Sequence, residues 1–481
     1  MNHLSDYLKK RFENKQVWII GVGREGISTY ILLRKYLPNL EITLVDDQPL
    51  EELSTPIDDF LEDTGTHFSP SDQVTFPENV DLIVFKTPGI PSSHPVVSQI
   101  EGAGHQITSN TQLFFDILKQ SATTPTTIGV TGTKGKSTTT SMIYHVLKEN
   151  GKMAFLAGNI GTPPLNLVED IFSLEQPQNA YVVLEMSSHQ LQHLTSSPDI
   201  AVIQNITPEH LDYYPDFQSY QKAKQSITKH QNSNNSVIFC PKFDAVVSIL
   251  SEFATQYPFD VEPSDPSSLT AYATAETIFY EAEKIIDIKD IPLVGKHNLY
   301  NTLPSVIVGK LVGLAAADIA QAIRSFKALP HRLEYVGEIR GVRYFNDSQA
   351  TTPEAAIAAL HSFEGKPIHL IAGGSDKGVD LDQFATEILQ TRVKTIILFP
   401  PMGEVIDSLI QEKLKPGQLA VPSVFHVSSM PEAVALAAEH ASSGDIVLLS
   451  PGCASFGIFN NYQDRGDQFK KAALELQTKD A

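Results

Sequence analysis

Residues 127–151, TIGVTGTKGKSTTTSMIYHVLKENG, contain a strand, a glycine-rich turn and a helix in direct succession. The apolar run at residues 128–130 predicts the end of a buried strand. Gly132 and Gly135 occupy the turn. A helix is predicted from Lys136 to a stop at Gly151, because glycine is favoured just past a helix end. This succession predicts an α/β domain with a ligand-binding turn before its first helix.

The turn before Lys136 has the composition of a phosphate-binding site. Backbone N–H groups at a helix N-terminus point at a bound anion, and the helix dipole favours negative charge there. The lysine adds positive charge for the outer phosphates, and Ser137 or Thr138 supplies a hydroxyl for Mg²⁺. The pattern G-x-x-x-x-G-K-[ST] is missed by one place, because the first glycine is Gly129 and not residue 130. A ligand-free βα turn is the alternative, and it does not explain Gly-Lys-Ser-Thr at a helix start.

Length and composition limit the class of protein. A chain of 481 residues predicts about three domains, each with its own core. The formal net charge of −20 argues against a nucleic-acid or anionic-membrane partner, although a nucleotide site needs only local positive charge. Cys240 and Cys453 are too few for a disulfide framework. The polar N-terminus and the lack of a stretch of about 18 apolar residues predict a cytoplasmic chain without a membrane span.

The first part of the chain carries a second glycine-rich turn. A strand at residues 17–20 precedes G-V-G-R-E-G at residues 21–26, and a strand at 41–45 ends before Asp46. This spacing matches the G-x-G-x-x-G fingerprint, with an acid about 20 residues further on to bind a ribose. It predicts a nucleotide or its diphosphate, with a ligand-free turn as the alternative. A strand at 80–85 leads to the turn K-T-P-G-I, where open α/β sheets bind ligands.

The middle of the chain continues as α/β. A buried strand at 180–186 carries Glu185 near its carboxyl end, and a strand at 201–205 is followed by T-P-E-H at 207–210. A carboxylate beyond the strands of such a sheet is placed to bind Mg²⁺. We also predict a strand at 237–240, a helix at 244–253 and small antiparallel strands within 269–286. G-K-H-N-L-Y-N at 295–301 opens a further helix.

The last part is predicted to be a third α/β domain. Residues 336–345 form a hairpin that turns near Arg340 and Gly341, and a helix starts at Thr352. Strands are predicted at 368–372, 395–399 and 445–449. Polar turns at 373–377 and 450–455 follow two of these strands, and so they lie at one edge of the sheet. The predicted domain boundaries are 1–122, 123–328 and 329–481.

Motifs in all three predicted domains resemble the Mur ligase family. The matching stretches, in the family's order, are T-G-T-K-G-K-S-T (131–138), L-E-M-S-S-H-Q-L (184–191), N-I-T-P-E-H-L-D-Y-Y-P (205–215), G-K-H-N-L-Y-N (295–301), L-P-H-R-L-E (329–334), N-D-S-Q-A-T (346–351) and L-S-P-G-C-A-S-F (449–456). The resemblance implies a Rossmann-like N-terminal domain that binds a UDP-sugar, a central P-loop ATPase-like domain with a mostly parallel sheet, and a Rossmann-like C-terminal domain that binds glutamate.

The activity that the resemblance implies is ATP-dependent amide formation. It is strongest toward the members that add D-glutamate to UDP-N-acetylmuramoyl-L-alanine, through an acyl phosphate, in peptidoglycan precursor synthesis. The implied cofactors are ATP and two Mg²⁺ ions, with Lys224 carbamylated as a metal ligand. ATP is expected to bind between domains. We expect a monomer with no nucleic-acid or membrane partner.

The resemblance also assigns site residues. Catalytic and metal roles fall on Lys136, Ser137, Glu185, His210 and Lys224. The ATP contacts are Gly132, Thr133, Gly135, Lys136, Ser137, Thr138, Asn298, Asn301, Arg332 and Asp347. The UDP-sugar contacts are Gly23, Arg24, Glu25, Asp46, Thr87, Pro88, Gly89 and Asn159, and the glutamate contacts are Thr351, Lys377, Ser455 and Tyr462.

Three positions depart from the family pattern. Gln349 stands where a lysine is expected, and His189 and Tyr462 each replace a phenylalanine. They leave the identity and stereochemistry of the added amino acid less defined than the reaction. The alternatives are a sister ligase for L-glutamate or another amino acid, a folylpolyglutamate synthase, a non-catalytic nucleotide-binding protein, and an NAD-dependent oxidoreductase. A folate enzyme has little use for the G-V-G-R-E-G domain, and an oxidoreductase leaves the second phosphate site unexplained.

Overall fold

The structure, a computed structural model, describes residues 2–53, 55–76, 80–211, 213–414 and 421–478. Residues 1–288 with 299–323 form one compact unit, and residues 289–298 with 324–481 form the other. The described residues contain three main sheets of five, nine and six strands. None of the helices in the described ranges is both long and apolar enough to cross a bilayer.

The first sheet is parallel and has the strand order β3-β2-β1-β4-β5. Its strands are β1 (Lys15–Ile20), β2 (Ile42–Asp46), β3 (Thr66–Pro70), β4 (Asp81–Lys86) and β5 (Gln106–Thr108). Its helices are α1 (Asn2–Phe12), α2 (Arg24–Tyr36), α3 (Asp58–Leu61), α4 (Pro95–Gly102) and α5 (Asn110–Leu118). The turns after β1 and β4 therefore meet at the carboxyl edge, where the strand order reverses and doubly wound sheets bind ligands.

The second sheet has the order β14-β13-β12-β11-β10-β9-β6-β8-β7. Its strands are β6 (Thr126–Thr131), β7 (Met153–Gly158), β8 (Ala180–Glu185), β9 (Ile200–Ile203), β10 (Ser236–Phe239), β11 (Thr255–Val261), β12 (Ala271–Ala273), β13 (Thr277–Tyr280) and β14 (Glu283–Asp287). Its helices are α6 (Lys136–Glu149), α7 (Val168–Ser173), α8 (Ser188–Leu191), α9 (Phe217–Lys229), α10 (Asp244–Val247), α11 (His297–Leu311) and α12 (Ala316–Ser325). Only β12 to β14 pair antiparallel. The central strands are nearly continuous apolar runs, because helices cover both faces of a parallel sheet.

The third sheet has the order β15-β16-β20-β17-β18-β19 and is parallel except for the β15–β16 hairpin. Its strands are β15 (Glu334–Ile339), β16 (Val342–Asn346), β17 (Ile368–Gly373), β18 (Val393–Phe399), β19 (Ser423–His426) and β20 (Ile446–Leu449). Its helices are α13 (Pro353–His361), α14 (Asp382–Gln390), α15 (Met402–Lys413), α16 (Met430–His440) and α17 (Tyr462–Thr478). The hairpin turns at Arg340 and Gly341, which both have positive φ angles, as predicted.

The predicted α/β class with three sheets is confirmed, but one predicted helix is too long. Instead of extending over 244–253, α10 ends at Val247. Ser248 Oγ bonds back to Ala245 O, and Ser251 Oγ accepts from the N–H groups of Phe253 and Ala254. Serine hydroxyls compete in this way with helical hydrogen bonds. The sequence pattern also does not predict β3, β7 or β19. The domain boundaries at 122 and 328 stay predictions.

One buried arginine fastens two loops at the carboxyl edge of the third sheet. The guanidinium of Arg465, on α17, is inaccessible to solvent. Its Nε and Nη2 donate to Oγ and O of Ser348 at 3.0 and 2.9 Å, after β16. Its Nη1 donates to the carbonyl oxygens of Cys453 and Ala454, both at 3.2 Å, after β20. Arg465 therefore joins the two loops through one buried side chain.

Replacing Arg465 with methionine should lower the free energy of unfolding by about 3 kcal/mol, because buried carbonyl groups lose their donors. The measurement is urea unfolding of the full chain, with R392M as the matched control. Arg392 is exposed and donates to the carbonyl of Gly365, so its loss should cost less than about 1 kcal/mol. Equal effects of the two substitutions would contradict the role given to Arg465.

Candidate active site

The glycine-rich turn between β6 and α6 forms a tight cradle. Gly135, the N-cap of α6, has φ +86°. A Cβ at this position would lie 2.3 Å from Asn301 Oδ1, so both the backbone and the space require glycine. Thr133 Oγ1 donates to Thr207 O at 3.0 Å, and Asn205 Oδ1 accepts from the N–H of Lys134 at 2.9 Å. These hydrogen bonds therefore hold the turn against the segment that follows β9.

Lys136, the first residue of α6, folds back over the cradle. Its Nζ donates to Gly132 O at 2.8 Å and to Thr133 O at 2.9 Å. Ser137 follows it and is half-buried, and Thr138 is buried. Neutral carbonyl groups bind an ammonium less strongly than a phosphate does. The lysine can therefore exchange these contacts for an anion at the same place.

Lys224, on α9, is 1% exposed and reaches the same turn from the other side. Its Nζ donates to Gly132 O at 2.9 Å and to Thr131 Oγ1 at 3.3 Å, and it lies 4.8 Å from the centre of the Tyr220 ring. Burial, followed by the positive charge of Lys136, lowers the pKa of Lys224 well below its usual value. The surroundings of Lys224 thus disfavour its charged form.

Glu185, at the end of β8, is 1% exposed and has one unsatisfied oxygen. Its Oε1 accepts from Asn159 Nδ2 at 2.7 Å, and the N–H of Asn159 also bonds to Glu185 O at 2.9 Å. The other oxygen, Oε2, is buried without a hydrogen-bond partner. A buried carboxylate oxygen without a partner is costly in isolation and is what a divalent cation would ligate.

His210 lies in an aromatic cluster beside these groups. It has φ +56°, and its ring centre is 4.9 Å from that of His189 and 6.2 Å from that of Tyr220. The His189 ring also contacts Tyr213 at 4.1 Å and stacks near Tyr214 at 5.7 Å. His189 thus fills the aromatic place expected for a phenylalanine. Asp212, in the same motif, lies outside the described residues.

The donor set fits a magnesium site in part. Within the described ranges no group of three or more His, Cys, Asp or Glu side chains could hold a metal ion. The predicted set contains two such side chains, Glu185 and His210, together with Ser137 and Lys224. The unsatisfied Glu185 oxygen fits a hard cation, whereas Lys224 would ligate only if modified to an anion.

The N-terminal turn is held by the residues predicted to bind the UDP-sugar. Asp46 Oδ2 accepts from the N–H of Val22 at 2.7 Å, so this acid supports the turn. Thr87 Oγ1 donates to Ile20 O at 3.0 Å. Gly21 has φ +90°, and a Cβ at this position would lie 2.0 Å from Thr87 Oγ1. In the same two turns, Gly23 and Gly89 are exposed and Pro88 is half-buried.

Two further residues of this turn bond to the central sheet within the same unit. Arg24 Nη2 donates to Gly161 O, and Glu25 Oε1 accepts from Gln190 Nε2 at 2.6 Å. Burial raises the pKa of the Glu25 carboxyl above its usual value. Asn159, also assigned to the UDP-sugar, donates to Glu185 Oε1 at 2.7 Å.

The second unit contains residues that are predicted to bind ATP and residues that are predicted to bind glutamate. Asp347 follows β16, and its carboxylate accepts from Ser450 Oγ at 2.8 Å and from the N–H of Leu333 at 3.1 Å. The Tyr462 ring lies 5.9 Å from that of His331. Lys377 Nζ lies 5.7 Å from the centre of the exposed Phe456 ring, next to buried Ser455. Half-buried Thr351 bonds to Gln349 O at 2.8 Å, and Asn298 Nδ2 bonds to Val294 O at 2.7 Å.

Sequence reasoning missed some supporting residues. The Tyr220 hydroxyl shares a hydrogen bond of 3.0 Å with Thr133 Oγ1. The ring of Tyr220 packs against Lys224 Nζ. Asn205 holds the cradle through Lys134. Tyr220 and Lys224 are four residues apart and therefore lie on one face of a helix. This spacing could have identified Tyr220 from the sequence.

Two family models match the chain. The Mur ligase middle domain matches residues 130–309, and the Mur ligase glutamate ligase domain matches residues 331–453. Over 472 residues the chain is 32% identical to a Thermoanaerobacter pseudethanolicus protein, covering 97% of this chain and 99% of that one. The chain belongs to the Mur ligase family.

Other proteins that are similar to this Mur ligase belong to the same family. A Clostridium tetani protein is 31% identical, with 99% and 100% of the two chains covered. Both bacterial proteins are named UDP-N-acetylmuramoylalanine--D-glutamate ligase. Among solved structures, a Thermotoga maritima UDP-N-acetylmuramate-alanine ligase is 17% identical with a TM-score of 0.57, covering 97% and 100% of the chains. A MurF ligase from the same organism, in complex with ADP, is 15% identical with a TM-score of 0.56, covering 98% and 97%. These structures show the shared fold.

Replacing Lys136 with alanine should reduce turnover by at least about a thousandfold without unfolding, because phosphoryl transfer relies on charges placed at the phosphates. Phosphate release measures turnover, and thermal melting checks the fold. K148A is the matched control, since Lys148 is exposed on the same helix. Activity of K136A within tenfold of the K148A value would refute the assigned role.

Burial raises the pKa of Asp347 from 3.8 to about 7. Between these values the folded chain keeps a proton that the unfolded chain loses, so this group makes stability fall as the pH rises from about 4 to about 7. The measurement is the free energy of unfolding against pH for the wild type and D347N. The wild type should lose stability relative to D347N across this window. D376N, at an exposed position, should show no such relative change; parallel curves for wild type and D347N would contradict the prediction.

Proposed function

We propose that this Mur ligase adds D-glutamate to UDP-N-acetylmuramoyl-L-alanine with consumption of ATP. The observation that carries the proposal is full-length similarity to proteins named for this activity, 97–99% of the chain at 31–32% identity. The cradle geometry supports it, because the phosphate-binding turn, the unsatisfied carboxylate oxygen of Glu185 and two buried lysine contacts lie together.

The chemistry requires activation of a poor electrophile. A carboxylate oxygen of the UDP-sugar attacks the γ-phosphorus of ATP, the bond to the bridging oxygen breaks, and ADP leaves. The amine of glutamate then attacks the carbonyl carbon of the acyl phosphate, inorganic phosphate leaves with the bonding electron pair, and a proton is lost from nitrogen. Both steps depend on positioning and on neutralising charge.

Residues of the cradle would bind the β- and γ-phosphates. Lys136 exchanges its carbonyl contacts for phosphate oxygens, and the N–H groups at the start of α6 donate to the same anion. Asn298, Asn301, Arg332 and Asp347 are assigned to ATP by the same family pattern. Ser137, Glu185 and His210 would hold Mg²⁺, which supplies charge neutralisation at the phosphate oxygens when bound.

Lys224 is proposed to be carbamylated. Its lowered pKa and burial favour the neutral amine, which is the form whose nitrogen can bond to the carbon of CO₂ with loss of a proton. The product is an anion, which explains how a lysine in this place could become a metal ligand. It would also place a negative charge beside the positive charge of Lys136.

The acceptor is proposed to be D-glutamate. Lys377 supplies a cation for one carboxylate, and Thr351, Ser455 and Tyr462 supply hydroxyls for the other. The UDP-sugar is assigned to the turns that contain Gly23, Arg24, Glu25, Thr87 and Gly89. The cytoplasmic location and the monomeric state stay predictions.

Phosphate release, measured across a panel of amino acids, tests the function. Release should require Mg²⁺, UDP-N-acetylmuramoyl-L-alanine and D-glutamate together, and L-glutamate should give at most about 1% of the rate, because a misoriented amine loses the attack geometry. Omission of the UDP-sugar is the control for uncoupled ATP hydrolysis. A preference for L-glutamate would overturn the acceptor, and no amino-acid dependence would overturn the ligase assignment.

A further inference from the structure

The Arg332 side chain bonds to a residue at which this chain departs from its family pattern. Arg332 Nε donates to Gln349 Oε1 at 3.2 Å. Arg332 is half-buried, and its guanidinium makes no other hydrogen bond to the residues that the structure describes. Both residues lie in the second compact unit. The two terminal amino groups of Arg332 are therefore available for another ligand.

The backbone around Arg332 is strained and held by the same loop. His331 has φ +63° and Leu333 has φ +42°, a region that side chains other than glycine rarely occupy. The N–H of Gln349 donates to His331 O at 3.0 Å, and Asp347 Oδ1 accepts from the N–H of Leu333 at 3.1 Å. The loop after β16 thus fixes the residues on both sides of Arg332, and the Gln349 side chain fixes the direction of its guanidinium.

We propose that Gln349 is a positioning residue that orients the Arg332 guanidinium toward a phosphate group of ATP. The guanidinium is planar, so an acceptor on Nε leaves both terminal amino groups as a fork that can bind two phosphate oxygens. This inference rests on the proposed function, which assigns Arg332 to ATP.

The amide suits this task better than the residues that could replace it. A glutamate would accept the same hydrogen bond, but its negative charge would cancel the charge of Arg332 and repel phosphate. A lysine, which the family pattern has at this position, cannot accept and would place a like charge against the guanidinium. A glutamine supplies an acceptor and leaves the net positive charge intact.

The test is a double-mutant cycle of Q349M and R332M, with affinity for the non-hydrolysable ATP analogue AMP-PNP measured by calorimetry in the presence of Mg²⁺. Methionine keeps the length of glutamine and removes the acceptor. Q349M should weaken AMP-PNP binding and raise KM for ATP about fivefold to tenfold, while kcat changes less than about twofold. R332M should weaken binding at least as much, and the double variant should match R332M. Q411M, at an exposed position on α15, is the matched control and should bind like the wild type.

The outcomes distinguish the positioning role of Gln349 from the assignment of Arg332 to ATP. If R332M binds AMP-PNP like the wild type, the ATP assignment of Arg332 is wrong. If R332M weakens binding and Q349M does not, Gln349 does not position Arg332. Additive losses in the double variant would also overturn the inference, because Gln349 would then act independently of Arg332. If Q349M does not fold, Q349L, which also removes the acceptor without adding charge, takes its place in the cycle with the same expected loss and the same overturning results.

Discussion

The carbonyl oxygen of Gly132 accepts hydrogen bonds from the Nζ atoms of two lysines, at 2.8 Å from Lys136 and 2.9 Å from Lys224. A positive charge on Lys224 would be repelled by the charge of Lys136, and burial disfavours that charge further. A bound polyphosphate, or an anionic modification of Lys224, would relieve this repulsion. These contacts of the cradle support the phosphate site that we propose.

The carboxyl edges of parallel strands place the chemistry in both units. The turns after β1 and β4 in the first sheet, after β6 and β8 in the second, and after β16, β17 and β20 in the third carry the assigned residues. Parallel strands aim all their carboxyl ends at one edge, where helices begin and backbone N–H groups are free. One fold rule thus explains why residues far apart in the chain lie together at the edge of each sheet.

Amide and carboxylate groups hold the residues that are assigned to ligands. Asp46 supports the N-terminal turn, Asn159 orients Glu185, and Gln349 bonds to Arg332. In the Asn159 pair, Glu185 Oε2 is left without a partner. Precise placement lowers the cost of organising charges when the ligand binds.

The sequence by itself determined the α/β class, the family and the main strand–turn–helix units, because apolar runs and glycine-rich turns are local signals. It did not determine the end of α10 or the strand β19, since hydroxyl competition and sheet pairing depend on neighbours. Only the tertiary structure decided that Asp46 and Asn159 serve as supports, and that Lys224 lies beside Lys136 and Gln349 beside Arg332. Such roles depend on distances between residues far apart in the chain, and spacing along a sequence does not contain them.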